Sequence, residues 1–266
     1  MKKIVKKTLI LVGSIVLLPL ALTAIRIIQI KSDLGRMAPL ETGEVVKGVY
    51  SLKDSRVNMY LVKTSNTCIA IDAGNDTENI RKELKRMNVN PADVAAVFLT
   101  HSDADHVGAL DLFQKARIYL SKQEVQMIDG SKSRFLVFKN QLKFVYTVLD
   151  DNETIHIDSL KIMAVSTPGH TPGSMCYVVD GQYLFTGDSM GLRSGKADIF
   201  SKTINMDNKT QRESMQKLAS LTRVKYIFTA HHGYSDSFDN VFNNNEKAKS
   251  SLEGKGYQIE ETEVIL

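Results

Sequence analysis

The sequence predicts an α/β (α+β) fold: a core of two sheet layers with helices outside, preceded by an N-terminal transmembrane helix. Three observations carry this expectation. From Glu44 onward, short β-type runs alternate with stretches of helical periodicity. The two halves each run strands, then helix, then a strand ending in histidine, which suits a layered sheet core. A long apolar segment behind four lysines opens the chain.

That opening segment comes first. Lys2, Lys3, Lys6 and Lys7 precede an apolar run, Leu9 to Ile30, broken only by Gly13, Ser14, Pro19, Thr23, Arg26 and Gln29. Such a run is long enough to cross a hydrocarbon layer of about 30 Å as a helix. The positive-inside rule keeps the lysines cytoplasmic. The expectation is therefore a signal-anchor over residues 1–35 and a single pass through the cell membrane. Residues 36–266 then form an extracytoplasmic domain, joined through a polar linker from Lys31 to Thr42. A cleaved signal peptide and a secreted protein is the alternative; the length of the run and the lack of an A-x-A site favour the anchor. Residues 1–35 carry six Lys/Arg and one acid, while the remainder holds 28 basic and 29 acidic residues. The folded part thus has no electrostatic footprint for nucleic acid.

In the domain, Val45–Leu52, Met59–Val62 and Cys68–Ile71 read as strands separated by turn residues such as Ser65-Asn66. Asp76 or Thr77 can cap a helix carrying Ile80, Leu84 and Met87, which Pro91 stops. Strand Ala95–Leu99 follows, then the start of a helix at Val107–Phe113. Further strands are expected at Ile118–Leu120, Phe144–Val148, Leu160–Val165, Met175–Val179, Tyr183–Phe185 and Val224–Phe228. Helices are expected over Asn208–Leu221 and near Val241–Leu252, with a last strand at Tyr257–Leu266. Cys68 and Cys176, the two cysteines, lie in separate apolar runs and read as small buried hydrophobes rather than a disulfide.

The chemistry gathers at strand ends. Ala95–Leu99 runs into Thr100-His101-Ser102-Asp103-Ala104-Asp105-His106, two imidazoles and two carboxylates in six positions. Unpaired charge at a buried strand end is costly, and a divalent metal ion is the usual compensation for this donor mixture. Three other β-type runs end the same way, at His170, Asp188 and His231-His232. Five of the six histidines fall in these places, His156 being the exception. Loops on a rigid scaffold are where sites are built.

The Thr-His-x-x-x-Asp-His stretch, the Pro168-Gly169-His170-Thr171-Pro172-Gly173-Ser174 loop, the Thr186-Gly187-Asp188 step and Ala230-His231-His232-Gly233 resemble the metallo-β-lactamase-fold hydrolase superfamily, in order through about residues 44–235. The resemblance implies a four-layer αββα sandwich with the site along one edge of the two sheets. It implies two divalent metal ions: His101, Asp103 and His170 holding one, Asp105, His106 and His231 (alternatively His232) the other, with Asp188 between them. The family usually carries histidine where this chain has Asp103. Zinc is the family's metal, and the harder carboxylate makes iron or manganese plausible. A mononuclear site results if Asp103 faces away.

The implied mechanism is attack by a metal-bridged hydroxide on a small-molecule ester, thioester, lactone or related bond, with Asp105 and Asp188 as catalytic residues. Asp105 would orient the hydroxide or relay a proton, and Ser174 reads as a turn residue. Arg193 and Lys196, in the loop after Asp188, are candidates to grip a substrate carboxylate or phosphate, and Tyr234 a candidate hydrogen-bond donor. Two other readings use the same fold: a di-iron redox protein, for which the chain has no flavin module, and a non-catalytic ligand- or partner-binding module. The complete set of metal-competent side chains favours the hydrolase.

Overall fold

Residues 2–134 and 139–242 are described by a computed structural model, with side chains from Leu18 onward. Helix α1 runs unbroken from Lys2 to Gly35 with Pro19 inside it. Among the described residues no helix is long and apolar enough to cross a membrane. Side chains of the expected apolar run are described only from Leu18, and residues 18–35 are interrupted by Arg26, Gln29, Lys31 and Asp33. The helix also takes in the first five residues of the expected linker, Lys31 to Gly35, and the Arg36 side chain bonds back to Ser32 and Asp33 on its last turn.

The first sheet comprises β1 (Gly43–Val46), β2 (Val49–Asp54), β3 (Val57–Lys63), β4 (Cys68–Ile71), β5 (Val94–Phe98), β6 (Arg117–Ser121) and β7 (Thr147–Leu149), in that spatial order. It starts as an antiparallel meander and turns parallel from β4 onward. Parallel neighbours need a crossover. Helix α2 (Thr77–Arg86) supplies one between β4 and β5, started by Asp76, whose carboxylate accepts from Asn79 N. The second crossover carries α3 (Ala104–Val107), and the short α4 (Val125–Asp129) follows β6.

The second sheet has spatial order β15-β14-β11-β10-β9-β8. Its strands are β8 (Thr154–Ile157), β9 (Leu160–Ser166), β10 (Met175–Val179), β11 (Tyr183–Phe185), β14 (Tyr226–Phe228) and β15 (Tyr234–Ser235). A small hairpin, β12 (Gly191–Arg193) with β13 (Lys196–Asp198), and helix α5 (Asn208–Ala219) lie between β11 and β14. Helix α6 (Phe238–Phe242) follows β15.

Strand alternation places the layers. Ile69 and Ile71 of β4, Phe98 of β5, and Met175, Tyr177 and Val179 of β10 meet in one buried cluster between the sheets. Their neighbours turn the other way: Cys68, Ala70 and Val97 pack beneath Ile80 and Leu84 of α2. Cys176 and Val178 pack beneath Met215 and Leu218 of α5. Strands buried on both faces read as continuous apolar runs, as these do. The arrangement is mixed α/β, with helices on the outer faces of two stacked sheets. Both cysteines are free and buried, and burial pushes their thiols up, to about 12 for Cys68 and about 11 for Cys176.

The elements differ from the expectations at several places. The single strand expected at Val45–Leu52 is two antiparallel strands, β1 and β2, with the turn at Lys47-Gly48 between them. The helix expected at Val107–Phe113 starts instead at Ala104, so Asp105 and His106 sit within its first turn, and Leu110–Leu112 forms a separate 3-10 turn. The Phe144–Val148 strand is Thr147–Leu149, with Phe144 and Tyr146 packing from the preceding loop against the cluster under the first sheet. Strand β8 and the β12–β13 hairpin are additional. The last described helix is Phe238–Phe242; the rest of the Val241–Leu252 helix and the Tyr257–Leu266 strand lie outside the described residues.

Candidate metal centre

The ligand-capable side chains converge where strand ends of both sheets meet. Two tyrosines pin these ends across the sandwich. Tyr60 of the first sheet donates to Thr229 O, two residues before His231, at 2.7 Å. Tyr177 of the second donates to Leu99 O, two residues before His101, at 2.8 Å. Each sheet thereby fixes the other's ligand loop. Gly187 explains the step into Asp188: its φ is +50°, and a Cβ there would lie 2.3 Å from Thr100 Oγ1. Only glycine lets this turn lie against Thr100.

His101, His106, His170 and His231 are all buried, and each turns Nδ1 outward. His106 Nδ1 lies 2.8 Å from Asp72 Oδ2, His231 Nδ1 2.6 Å from Arg56 O, and His170 Nδ1 3.0 Å from Asn205 Oδ1. His101 Nδ1 lies 3.0 Å from Thr100 Oγ1, whose own proton goes to Asp72. These acceptors put the proton on Nδ1 and leave Nε2 as the inward-facing lone pair, the tautomer a metal ligand requires.

The carboxylates divide between two groups. Asp103 Oδ2 is 3.1 Å from His170 Nε2 and 3.5 Å from His101 Nε2. Asp105 Oδ2 is 3.5 Å from His231 Nε2 and 3.8 Å from His106 Nε2. Asp188 spans them: Oδ1 lies 3.2 Å from His231 Nε2 and 3.7 Å from His106 Nε2, and Oδ2 lies 3.4 Å from His170 Nε2 and 4.0 Å from His101 Nε2. Three sets of ligand atoms are close enough to share an ion: His101/Asp103/His170, His101/His106/Asp188 and Asp105/His106/His231. Nε2 of His101, His106 and His231 and Oδ1 of Asp188 are buried without a hydrogen-bond partner. Orphaned acceptors in such numbers are costly unless a cation faces them. The donor set therefore fits divalent metal ions.

Electrostatics point the same way. Burial raises the Asp188 pKa, but the surrounding His231, His106 and His170 outweigh it and hold the carboxyl well below the usual range. Asp103 behaves alike: burial is countered by His101 and His170. For His106, burial is overcome by Asp72, Asp105 and Asp188, and its pKa is pushed up to about 10.

His232 does not join these groups. Its ring lies beside Gly191 and 5.8 Å from the Phe200 ring, half-buried, with Nδ1 unpartnered. Arg193 donates to Asp198 at 2.9 Å and lines a cavity beside the centre. Lys196 turns away to Asn240 O, and Tyr234 stacks on Phe228 at 6.0 Å. Ser174 accepts from Thr171 N at 3.0 Å, holding the His170 loop.

Several residues at the centre carried no signal in the sequence. Arg134 Nη2 lies 2.7 Å from Asp103 Oδ2 and 3.3 Å from His170 Nε2. Asn140 donates to Asp103 Oδ1 at 2.9 Å. Glu124, fully buried, accepts from Ser102 N and Oγ and from Thr171 Oγ1 and Gly173 N, tying two ligand loops together. The Phe200 ring meets His170 edge-on and His231 at a tilt, with centroids 5.1 and 5.3 Å away. Asp72, directly after strand β4, is a further such residue, held against His106 Nδ1 at 2.8 Å.

Comparison with known proteins adds the lineage. Residues 52–231 match the family described as the Metallo-beta-lactamase superfamily. A probable polyketide biosynthesis zinc-dependent hydrolase of Bacillus subtilis is 33% identical over 129 residues, 47% of this chain and 51% of that protein. A hydroxyacylglutathione hydrolase of Aeromonas hydrophila is 28% identical over 177 residues, 65% of this chain and 60% of that one. The matched segments thus span about half to two thirds of these relatives' lengths. Among solved structures, a Cronobacter sakazakii metallo-beta-lactamase with a HARLDQ motif superposes with a TM-score of 0.59 at 20% identity, over 75% of this chain and 76% of the other. That likeness speaks for the fold alone.

Proposed function

Because this chain belongs to the metallo-beta-lactamase superfamily, we propose that it is a two-metal hydrolase cleaving a small-molecule ester, thioester, lactone or related bond. The single observation that carries the reading is Asp188, whose two oxygens face the two ligand groups separately. Relatives named as zinc-dependent hydrolase and hydroxyacylglutathione hydrolase support a hydrolytic role.

The ions, when bound, would lower the pKa of water and polarise the substrate's carbonyl oxygen. His101, Asp103 and His170 would hold one, Asp105, His106 and His231 the other, with Asp188 shared. Asp105 is the most exposed of the carboxylates, its side chain 43% accessible, so it can take a proton and pass it to solvent. Asp72 and Asn205 keep the His106 and His170 rings in the liganding tautomer. Phe200 covers the His170 and His231 rings and limits water on that side. Asp103 in the first group favours iron or manganese beside zinc.

The lysines ahead of Leu9–Ile30 support a single-pass anchor with a cytoplasmic N-terminus and an extracytoplasmic domain. Release as a secreted protein is the outcome that membrane fractionation and N-terminal sequencing would separate from it.

The test is metal analysis and turnover together, on the purified full chain and on Asp188→Ala, with ester, thioester, lactone and phosphodiester substrates. Two metal equivalents, with turnover abolished in the variant, are expected. A wild-type chain that binds no metal under zinc, iron or manganese supply would sink the hydrolase and leave the binding module.

A further inference from the structure

A cavity of about 890 Å³ opens beside the metal centre, and one of its walls is helix α1. Arg26, Ile28, Gln29, Ser32 and Asp33 come from that helix, and Arg36 directly follows it. The opposite wall is Arg193, Asp198 and the segment from Ile199 to Met206, with Arg134 alongside. Phe200 and Arg134 belong to both places: they line the cavity and touch the centre's histidines. The cavity is therefore the antechamber of the site.

Helix α1 is fastened to this position. Asp33 bonds Ser201 across the cavity wall. Just past the helix, Ala38 N donates to the backbone carbonyl of His231 at 2.7 Å. Leu40 exchanges two bonds with the Asn58 amide, at 2.7 and 2.8 Å. The helix end is thus set against a metal-ligand loop by backbone bonds.

The lining is strongly basic. Arg26, Arg36, Arg134, Arg193 and Lys202 face only Asp33 and Asp198 among the lining residues. Arg36 is paired with Asp33 and Arg193 with Asp198, while Arg134 is held by Asp103. Arg26 and Lys202 make no ion pair among the described residues. Guanidinium groups on facing walls are suited to an oxyanion, which they bind through paired N–H groups.

We infer that the cavity between α1 and the Phe200 segment is an oxyanion subsite, so that the substrate carries a phosphate or carboxylate group and α1 forms part of the substrate site. The inference rests on the hydrolase reading for the position of the scissile bond, which lies at the Phe200 end. The anionic group would then meet Arg26 and Lys202, the lining cations without an ion pair among the described residues. Two sources can present this chemistry. One is a soluble phosphate ester. The other is a lipid headgroup, for which the exposed Leu18, Leu20, Leu22, Ile25 and Ile28 of α1 offer an apolar track to the same mouth.

Binding tests this independently of turnover. Calorimetry on the full-length chain in neutral detergent would use glycerol 3-phosphate, glycerol and short-chain phosphatidylglycerol as probes. Glycerol 3-phosphate is expected to bind and glycerol not, with affinity falling as salt rises. The double variant Arg26→Gln/Lys202→Gln should weaken phosphate binding about five- to tenfold, from two partly screened contacts. Lys161→Gln/Lys225→Gln, which removes the same two charges from residues outside the cavity lining, controls for net charge and should leave binding unchanged. Tighter binding of the lipid than of glycerol 3-phosphate assigns the headgroup as source; equal binding assigns the soluble ester. Absence of phosphate binding, or binding indifferent to the double variant, overturns the subsite. Loss of turnover with phosphate binding intact would fault the hydrolase reading instead.

Discussion

The guanidinium of Arg134 lies 2.7 Å from Asp103 Oδ2 and 3.3 Å from His170 Nε2, placing a fixed positive charge against the first ligand group. A cation there competes with a metal ion for the same carboxylate. Arg134→Met should therefore strengthen binding at the His101/Asp103/His170 group by about tenfold, roughly 1.4 kcal/mol, a modest fraction of a close-range charge interaction at intermediate dielectric. Chelator competition resolving the two equivalents would measure it. Unchanged or weaker binding would show that Arg134 supports the metal rather than opposing it.

Asp103→His replaces a hard anionic ligand by imidazole. The metal retained after growth in mixed supply should shift toward zinc and away from iron and manganese. Elemental analysis of the two proteins side by side decides this.

The pH dependence has a definite sign. In the metal-free chain the His106 pKa is pushed up to about 10: burial lowers it, but Asp72, Asp105 and Asp188 prevail. Its folded value thus exceeds the unfolded one, near 6.5. The stabilisation is fully present below about 6.5 and is lost as pH rises through about 10. Metal-free protein should then lose thermal stability across that window. Metal needs the neutral imidazole, so its uptake should release protons and tighten over the same range. Calorimetry in buffers of different ionisation enthalpy counts the protons; uptake without release near pH 7 would contradict the assignment.

Glu124 is fully buried and accepts four hydrogen bonds from the Ser102 and His170 loops. Glu124→Ala strands those donors and should destabilise the fold by about 3 kcal/mol. Denaturant unfolding of wild type and variant would register it. Glu124→Gln, which keeps an acceptor oxygen, should cost less.

What could be read from the chain, and what could not, follows from physical range. The strand-end histidines were visible because a polar cluster after an apolar run violates local pattern. The sandwich was visible because β4, β5 and β10 are buried on both faces and read as apolar runs. Arg134 was not, because it reaches Asp103 across 31 residues from an irregular segment with no periodicity. The start of α3 was misjudged for a related reason. Asp103 occupies the N-cap position yet makes no cap bond, its carboxylate being taken by Arg134, Asn140 and His170. Strand β8 escaped because it is an edge strand with little burial, and Thr154 and His156 break its apolar character. Helix α1 holds more than its apolar run announced: its Arg26, and Arg36 just past its end, line a cavity beside the metal centre, a contact no local pattern could show.

The order of the ligands along the chain has a bearing on biosynthesis. His101, Asp103, Asp105 and His106 leave the ribosome together, but His170 lies between β9 and β10 of the second sheet and His231 in its last strand connection, β14 to β15. A nascent chain thus displays four donors of one loop long before either group can close. Long-range pairings of this kind are slow to form. Metal loading is accordingly a late event that coincides with the joining of the sheets. A chain that stops before residue 231 lacks a ligand of the Asp105/His106/His231 group.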